Sequence, residues 1–430
     1  MAQTRNRPLG RLPLGDGVSV FVDGDRASWF VSVDVPHSTI PMPDGPESDD
    51  DCHCGPADGL AEAWLYTNTD CNLTCPHCVV PERATRPPLE VLLARAGEVL
   101  ELGATTVFLT GGEPFIRPDL ATVVASVAPR ANVVVLTNAT LIDRARLDEF
   151  DALGASEWGH RLSFQVSVDG PREVHDSIRG AGTFDRAVAG IALLSDWGRT
   201  PALTTALTGA NARHAHEVTA LASGLGCRVH HLFLPHRTGS LACAGAAVPD
   251  NADLLASVRR CRDVADAAGV VLANDEAIAA RLRRPGKRYQ WCNGGSSMVA
   301  VAADGSVYPC PSLVGETDLS ESGEWGLAHA LAGERLAQFR CASVERRAAC
   351  SACEYRYFCG GGCAAHAFRA GGSITSDEPY CGVYRGIVED HLSREAAKLI
   401  ASLDQPLTEL GSAHPVGRED DPGRTVFGCT

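Results

Sequence analysis

Cys71-Asn72-Leu73-Thr74-Cys75-Pro76-His77-Cys78 places three thiols within eight residues. Three thiolates on one loop can each bind one iron of a cubane, which leaves the fourth iron without a protein ligand and open to a substrate. A zinc knuckle or an ordinary four-thiolate cluster is the plainer reading, but zinc sites usually want C-x2-C pairs and a fourth ligand nearby. A second constellation lies downstream: Cys292, then Cys310 closing Gly305-Ser306-Val307-Tyr308-Pro309-Cys310, then Cys350-x2-Cys353-x5-Cys359-x3-Cys363, then Cys381. Alone, that pattern could be a zinc ribbon. Seventeen cysteines, an odd number, fit poorly with complete disulfide pairing. The opening residues have no signal-peptide core, so a cytoplasmic location is expected, where thiols serve metals or catalysis.

The 430 residues are 45% apolar and 21% charged, which suits a globular chain with a large core and excludes global disorder. A formal charge of −15 argues against a nucleic-acid partner, whose phosphates need clustered Lys and Arg. No run approaches about 18 consecutive apolar residues, so no membrane partner is expected either.

The elements that must position these thiols follow from the patterning. Alternating runs at 18–22 and 29–35, parted by Asp23-Gly24-Asp25, read as a β-hairpin. Pro41-Met42-Pro43 and Asp49-Asp50-Asp51 read as linker, giving an N-terminal segment over 1–59. From 60 to 285, candidate strands at 63–67, 105–109, 132–136, 163–168, 202–207 and 229–234 alternate with helix-like stretches at 88–102, 141–153, 184–194 and 212–225. Such alternation implies an α/β fold with a parallel sheet covered by helices. Six units make a partial (β/α)6 barrel, with a doubly wound sheet as the other arrangement the pattern allows. Past 286 the alternation stops and cysteines crowd in, which marks a separate metal-organised domain over 286–390. Near-helical spacing of Val383, Ile387, Leu392, Leu399 and Leu403 predicts a docking helix over 382–403, and residues 391–430 comprise its end and a flexible tail.

Placed after the first strand, C-x3-C-x2-C resembles the signature of the radical S-adenosylmethionine (SAM) superfamily, and Cys71, Cys75 and Cys78 match it residue for residue. Thr110-Gly111-Gly112-Glu113-Pro114, after the second strand, resembles the family's GGEP motif. The resemblance implies a [4Fe-4S] cluster whose open iron chelates the amino and carboxylate groups of SAM. One electron then yields a 5'-deoxyadenosyl radical that takes hydrogen from substrate. Gly111, Gly112, Glu113 and Pro114 would contact the SAM amino group, the glycines by close backbone approach and the carboxylate by accepting from an ammonium. His77 stands where relatives often carry an aromatic residue near the adenine. Ser167 and Asp169 end the fourth strand, where relatives contact the SAM ribose or carboxylate; Arg179 lies beyond, and Asn138 ends the third strand near the same pocket. Ser, Asn and Asp serve equally as caps and turn formers. Leu207-Thr208-Gly209-Ala210-Asn211 could support the adenine.

The downstream cysteines resemble a SPASM domain, which appends two auxiliary iron–sulfur clusters. The resemblance assigns Cys350, Cys353, Cys359 and Cys381 to an outer cluster and Cys292, Cys310 and Cys363 to an inner one. Relatives often supply the inner fourth ligand from a cysteine between the first two, and none lies there. The inner cluster therefore has an open iron or recruits Cys341 or Cys243. Cys52-His53-Cys54 reads as free thiols, and Cys227, Cys261 and Cys429 as ordinary residues.

By the same resemblance the first expectation is modification of a ribosomally made precursor peptide, by crosslinking, epimerisation or oxidation. The alternative is a dehydrogenase or epimerase acting on a sugar or cyclitol. The N-terminal segment is short for a leader-binding winged-helix module, which favours that alternative. Sulfatase maturation matches less well. An iron–sulfur electron carrier or zinc scaffold leaves GGEP unexplained. A flavodoxin or ferredoxin would supply electrons. Substrate should lie between the SAM site and the inner cluster, where His236 or Arg237 could contact it or handle a proton, and where Cys243 or Cys341 could donate hydrogen in an epimerisation.

Overall fold

In the computed structural model, residues 9–15, 18–33, 59–80, 85–236, 248–284 and 286–403 are described. The linker motifs, Cys52-His53-Cys54, Arg237, Cys243, Cys429 and the tail lie outside them.

All six expected parallel strands form: β4 (Glu62–Asn68), β5 (Thr106–Gly111), β6 (Asn132–Thr137), β7 (Leu162–Ser167), β8 (Ala202–Ala206) and β9 (Val229–Phe233). They pair in chain order, with Ala63 opposite Val107, Val107 opposite Val133, and Val166 opposite Leu203. A doubly wound sheet reverses its order part-way; this one does not, so the barrel reading holds. Period-two alternation sorts the side chains. Ala63, Leu65, Val107, Leu109, Val133 and Val135 join the core with Leu92, Ala96 and Val99 of the helix Leu89–Glu101 and with Val123, Val124 and Val127 of the helix Leu120–Val127. Trp64, Tyr66, Phe108 and Val134 face the other way, and the Trp64 and Phe108 rings stack at 4.1 Å. That inner face packs with Cys310, Ala364 and Ala365, so the cysteine-rich region closes the concave side of the sheet.

Three features depart from the sequence reading. The N-terminal hairpin is a three-stranded antiparallel sheet, because β1 (Gly10–Gly15) precedes β2 (Val18–Asp23) and β3 (Ser28–Val33). Its Gly and Pro content hid β1. Two further helices, Asn251–Ala268 and Ala273–Leu282, flank the short β10 (Val271–Leu272), which extends the sheet beyond β9. Finally, the sheet crosses the boundary expected at 286. β11 (Met298–Val301) lies parallel to β4, with Ala300 opposite Trp64, and β12 (Val307–Tyr308) runs antiparallel to β11. A first strand otherwise leaves its edge unpaired, and β11 covers it.

The helix Cys381–Leu403 forms nearly as expected. Buried Arg262 binds Asp275 at 2.8 and 2.5 Å and Asp390 at 2.8 Å, and His391 Nε2 lies 2.9 Å from Asp275. This network fastens the last helix to the two helices flanking β10.

Candidate active site

The cysteine loop leaves the C-terminal end of β4. Asn72 in it donates to Thr140 at 2.8 Å and accepts from Asn138 at 2.9 Å, so the end of β6 holds the loop. The turn after β5 holds it from the other side: Gly112 N–H donates to the Asn68 carbonyl at 3.0 Å and Glu113 N–H to the Asp70 carbonyl at 2.7 Å. A Cβ on Gly111 would stand 2.0 Å from the Asn68 oxygen, and one on Gly112 1.9 Å from that of Asp70. The glycines are therefore needed first for contact between the two strand ends.

Cys71, Cys75, His77, Cys78, Gly111, Gly112, Glu113, Asn138, Ser167 and Arg179 line one cavity at this end of the sheet. None of the three cysteines is in a disulfide. Burial pushes the Cys75 thiol up to about 11, against the nearby Arg179 cation. Asp169 is fully buried behind the wall, accepting from Arg179 Nε at 2.6 Å and lying 3.5 Å from His77 Nε2. Burial works to raise its carboxyl, but Arg179 and His77 hold it below the usual carboxylate range. His77 Nδ1 is buried without a hydrogen-bond partner. Three thiols, a glycine-built cradle and an orphaned imidazole nitrogen fit a thiolate-bound cluster with a polar ligand beside it.

A second cavity shares Phe233, Leu234, His236 and Ser312 with the first. Leu232, Val258, Leu272, Ile278, Phe339 and Ile387 make most of its remaining wall apolar, and Cys292, Cys310, Cys359 and Cys363 also line it. Burial and then the neighbours Cys353, Cys350 and Cys381 push the Cys359 thiol up to about 12; burial and then Cys363 do the same for Cys310. Cys359 thus neighbours Cys350, Cys353 and Cys381, and Cys310 neighbours Cys363. Gly360, Gly361 and Gly362, at φ +65°, +79° and +75°, turn the chain from one set to the other through left-handed backbone that side chains rarely adopt. Among the described residues, no three His, Cys, Asp or Glu gather around one point as a single metal ion needs. A cubane instead spreads its thiolates over separate irons.

Residues 65–222 match the radical SAM superfamily, and residues 292–354 match the SPASM iron–sulfur cluster-binding domain. The chain is a radical SAM enzyme with a SPASM domain. SAM and iron–sulfur clusters are its cofactors. It is 29% identical over 351 residues to the AdoMet-dependent heme synthase of Methanosarcina barkeri, covering 75% of this chain and 96% of that one. It is 28% identical over 339 residues to the mycofactocin maturase MftC of Mycolicibacterium smegmatis, covering 74% and 81%. The fold is similar to that of anSMEcpe with bound AdoMet (TM-score 0.63, 19% identity, 80% and 98% covered) and of Streptococcus suis SuiB bound to S-adenosylmethionine (0.61, 15%, 75% and 76%). No helix among the described residues is long and apolar enough to cross a membrane.

The hydrogen bonds of this radical SAM site add detail to the expectations. The Glu113 carboxylate, expected to meet an ammonium, lines the cavity, is buried and accepts from Phe115 N–H at 3.1 Å, Thr137 Oγ1 at 2.7 Å and Asn138 N–H at 2.7 Å. These bonds tie β5 to β6, and burial raises its pKa despite these donors. Asn138 is likewise engaged, by Asn72 and Thr140, and Pro114 is buried off the cavity wall as the start of a 3-10 turn. Asn211 accepts from Thr208 and donates to the Ala206 carbonyl, closing its own turn, although Leu207 does reach the cavity. His236 lines both cavities, whereas Cys341 lines neither. Cys227 and Cys261 are buried within the core. The sequence reading missed His366, which lines the second cavity, and Glu378 beside it; Cys363-x2-His366, a helix-spaced pair of ligand types, was the available signal.

Proposed function

We propose that Cys71, Cys75 and Cys78 hold the cluster that binds SAM, and that hydrogen is taken from an apolar group of a ribosomally made peptide lying in the second cavity. The observation that carries this reading is the wall common to both cavities, Phe233, Leu234, His236 and Ser312. Bound in the first cavity, the cluster and SAM supply a 5'-deoxyadenosyl radical. The chain's own residues do the rest. Arg179, anchored on Asp169, keeps a cation at the cavity for the SAM carboxylate; Ser167 offers a hydroxyl, His77 a ring face, and the turn at Gly111–Gly112 its backbone. The apolar wall keeps water from the reacting centre. Although His231, His236, Asn274 and Asp275 also line it, the mainly apolar wall suits an apolar or aromatic side chain better than a sugar or cyclitol.

Cys350, Cys353, Cys359 and Cys381 hold the outer auxiliary cluster, and Cys292, Cys310 and Cys363 are ligands of the inner one. Both lie on the path of electrons from a flavodoxin or ferredoxin. A tetrapyrrole is the second reading: the match to a heme synthase spans nearly all of that relative, and an apolar wall also suits a flat ring.

Anaerobic reconstitution with iron, sulfide and SAM should load about twelve irons per chain by ligand counting and yield 5'-deoxyadenosine on reduction. A fully loaded protein that makes none refutes the reading. Parallel incubations with a peptide encoded beside the gene and with an iron porphyrin decide the substrate, the active mixture being the one that alters its added compound.

A further inference from the structure

We propose that His366 is the fourth ligand of the inner auxiliary cluster, completing Cys292, Cys310 and Cys363; the assignment rests on the auxiliary-cluster reading above. All four residues line the same cavity. Cys363 caps the helix Ala364–Gly371 and His366 is its third residue, so thiol and imidazole leave one face of the first turn. The two groups lie within electrostatic reach of each other.

The surroundings of the ring are those of a metal ligand. His366 Nδ1 lies 3.3 Å from Glu378 Oε1, and both residues are buried. Glu378 Oε2 accepts from the Cys363 N–H at 2.8 Å, and Oε1 accepts from the Tyr380 N–H at 3.1 Å. One carboxylate therefore orients the cysteine and the histidine together. A carboxylate at one ring nitrogen draws the proton there and leaves the lone pair on the other, the arrangement common to histidines that bind metal. Here that other nitrogen is Nε2; both ring nitrogens are buried without a well-formed hydrogen bond, and the ring's close polar neighbours are the Cys363 thiol and the Glu378 carboxylate. The ring is further fixed by Tyr380, edge-on at 4.9 Å, and by His236 at 4.3 Å. Among the described residues the other thiols are placed elsewhere: no cysteine lies between Cys292 and Cys310, Cys341 is off both cavities, Cys227 and Cys261 are in the core, and Cys359 neighbours the outer set.

An inner cluster closed by His366 has no iron free for substrate. It passes electrons, and a neutral imidazole in place of a thiolate makes it less negative and raises its reduction potential. Substrate in the cavity then meets only side chains.

The test uses full-length Cys71→Ala/Cys75→Ala/Cys78→Ala protein, reconstituted anaerobically without SAM so that no SAM nitrogen can contribute. It should hold about eight irons by ligand counting. After reduction, pulsed EPR should detect a strongly coupled nitrogen whose signal changes to the 15N pattern when the protein is grown on 15N-histidine. Adding His366→Cys should keep the irons, abolish the coupling and lower the potential of one cluster. Eight irons with no coupled nitrogen, or a coupling that survives His366→Cys, overturns the assignment alone. A protein holding only about four irons overturns the inner-cluster reading, and the assignment falls with it.

Discussion

The two cysteine regions are held on different supports, the first on strand ends and the second on short helices and turns. In the first, three thiols sit on one short loop, fixed at the adjoining strand ends by backbone bonds from Gly112 to Asn68 and from Glu113 to Asp70 and by the side chains of Asn68 and Asn72. In the second, seven thiols besides Cys341 are spread from Cys292 to Cys381, and buried side chains help to order them. Arg347 bonds to the Gly361 and Ile374 carbonyls, Glu378 holds the start of one helix, and Tyr380 reaches the Pro235 carbonyl at 2.7 Å. A strand-borne site inherits rigidity from the sheet; a site built on short helices and turns must bring its own supports. The difference teaches that the first region can be damaged through its backbone and the second through its buried charges.

Four substitutions press on that contrast. Cys75→Ala should remove SAM cleavage, a loss of at least about a thousandfold or ~4 kcal/mol in barrier terms, while the auxiliary region keeps its irons; 5'-deoxyadenosine yield and iron content measure the two halves. Asp275→Asn strips the buried partner of Arg262 and His391 at the wall of the second cavity, and urea unfolding near neutral pH should record a loss of about 3–5 kcal/mol. Its pH dependence has a definite sign. Burial works to raise the Asp275 carboxyl, but His391 and Arg262 hold it below the ordinary range. The stabilisation is then complete above the unfolded value of about 3.9 and is lost as pH falls through the lower folded value. The wild-type protein should lose stability over that acid window more steeply than the Asn variant. Gly112→Ala drives a Cβ into the Asp70 carbonyl and should cost about 1–3 kcal/mol, with SAM affinity weakened along with the melting temperature. If it is silent, the strand-end account of the first region is wrong. Asp25→Asn breaks a partly exposed pair with Arg356 that ties the N-terminal sheet to the outer cysteines, and calorimetry should find at most about 1 kcal/mol.

The sequence carried most of the barrel because each strand is a local apolar run and each crossover helix a local period. It carried the cysteine motifs because their spacing is itself local. What it hid was long-range or inward-facing. The pairing of β11 with β4 joins residues far apart in the chain, and four residues, Met298–Val301, bear no mark of their partner. Glu113 and Asn138 line the cavity as their types suggested, and the hydrogen bonds that also tie them to Thr137 and Asn72 could not be read from the sequence. His366 went unread because a histidine three residues past a cysteine gains meaning only when Glu378 is found beside it.

The strand β11 also imposes an order of events on synthesis. The edge of β4 stays open until a segment more than two hundred residues later has been made. At ordinary translation rates that is an interval of roughly 10–50 s, during which an exposed parallel edge beside reactive thiols is available to neighbouring nascent chains. Slowing elongation downstream of β9 should therefore raise aggregation in the cell, and supplying chaperones that shield strand edges should lower it.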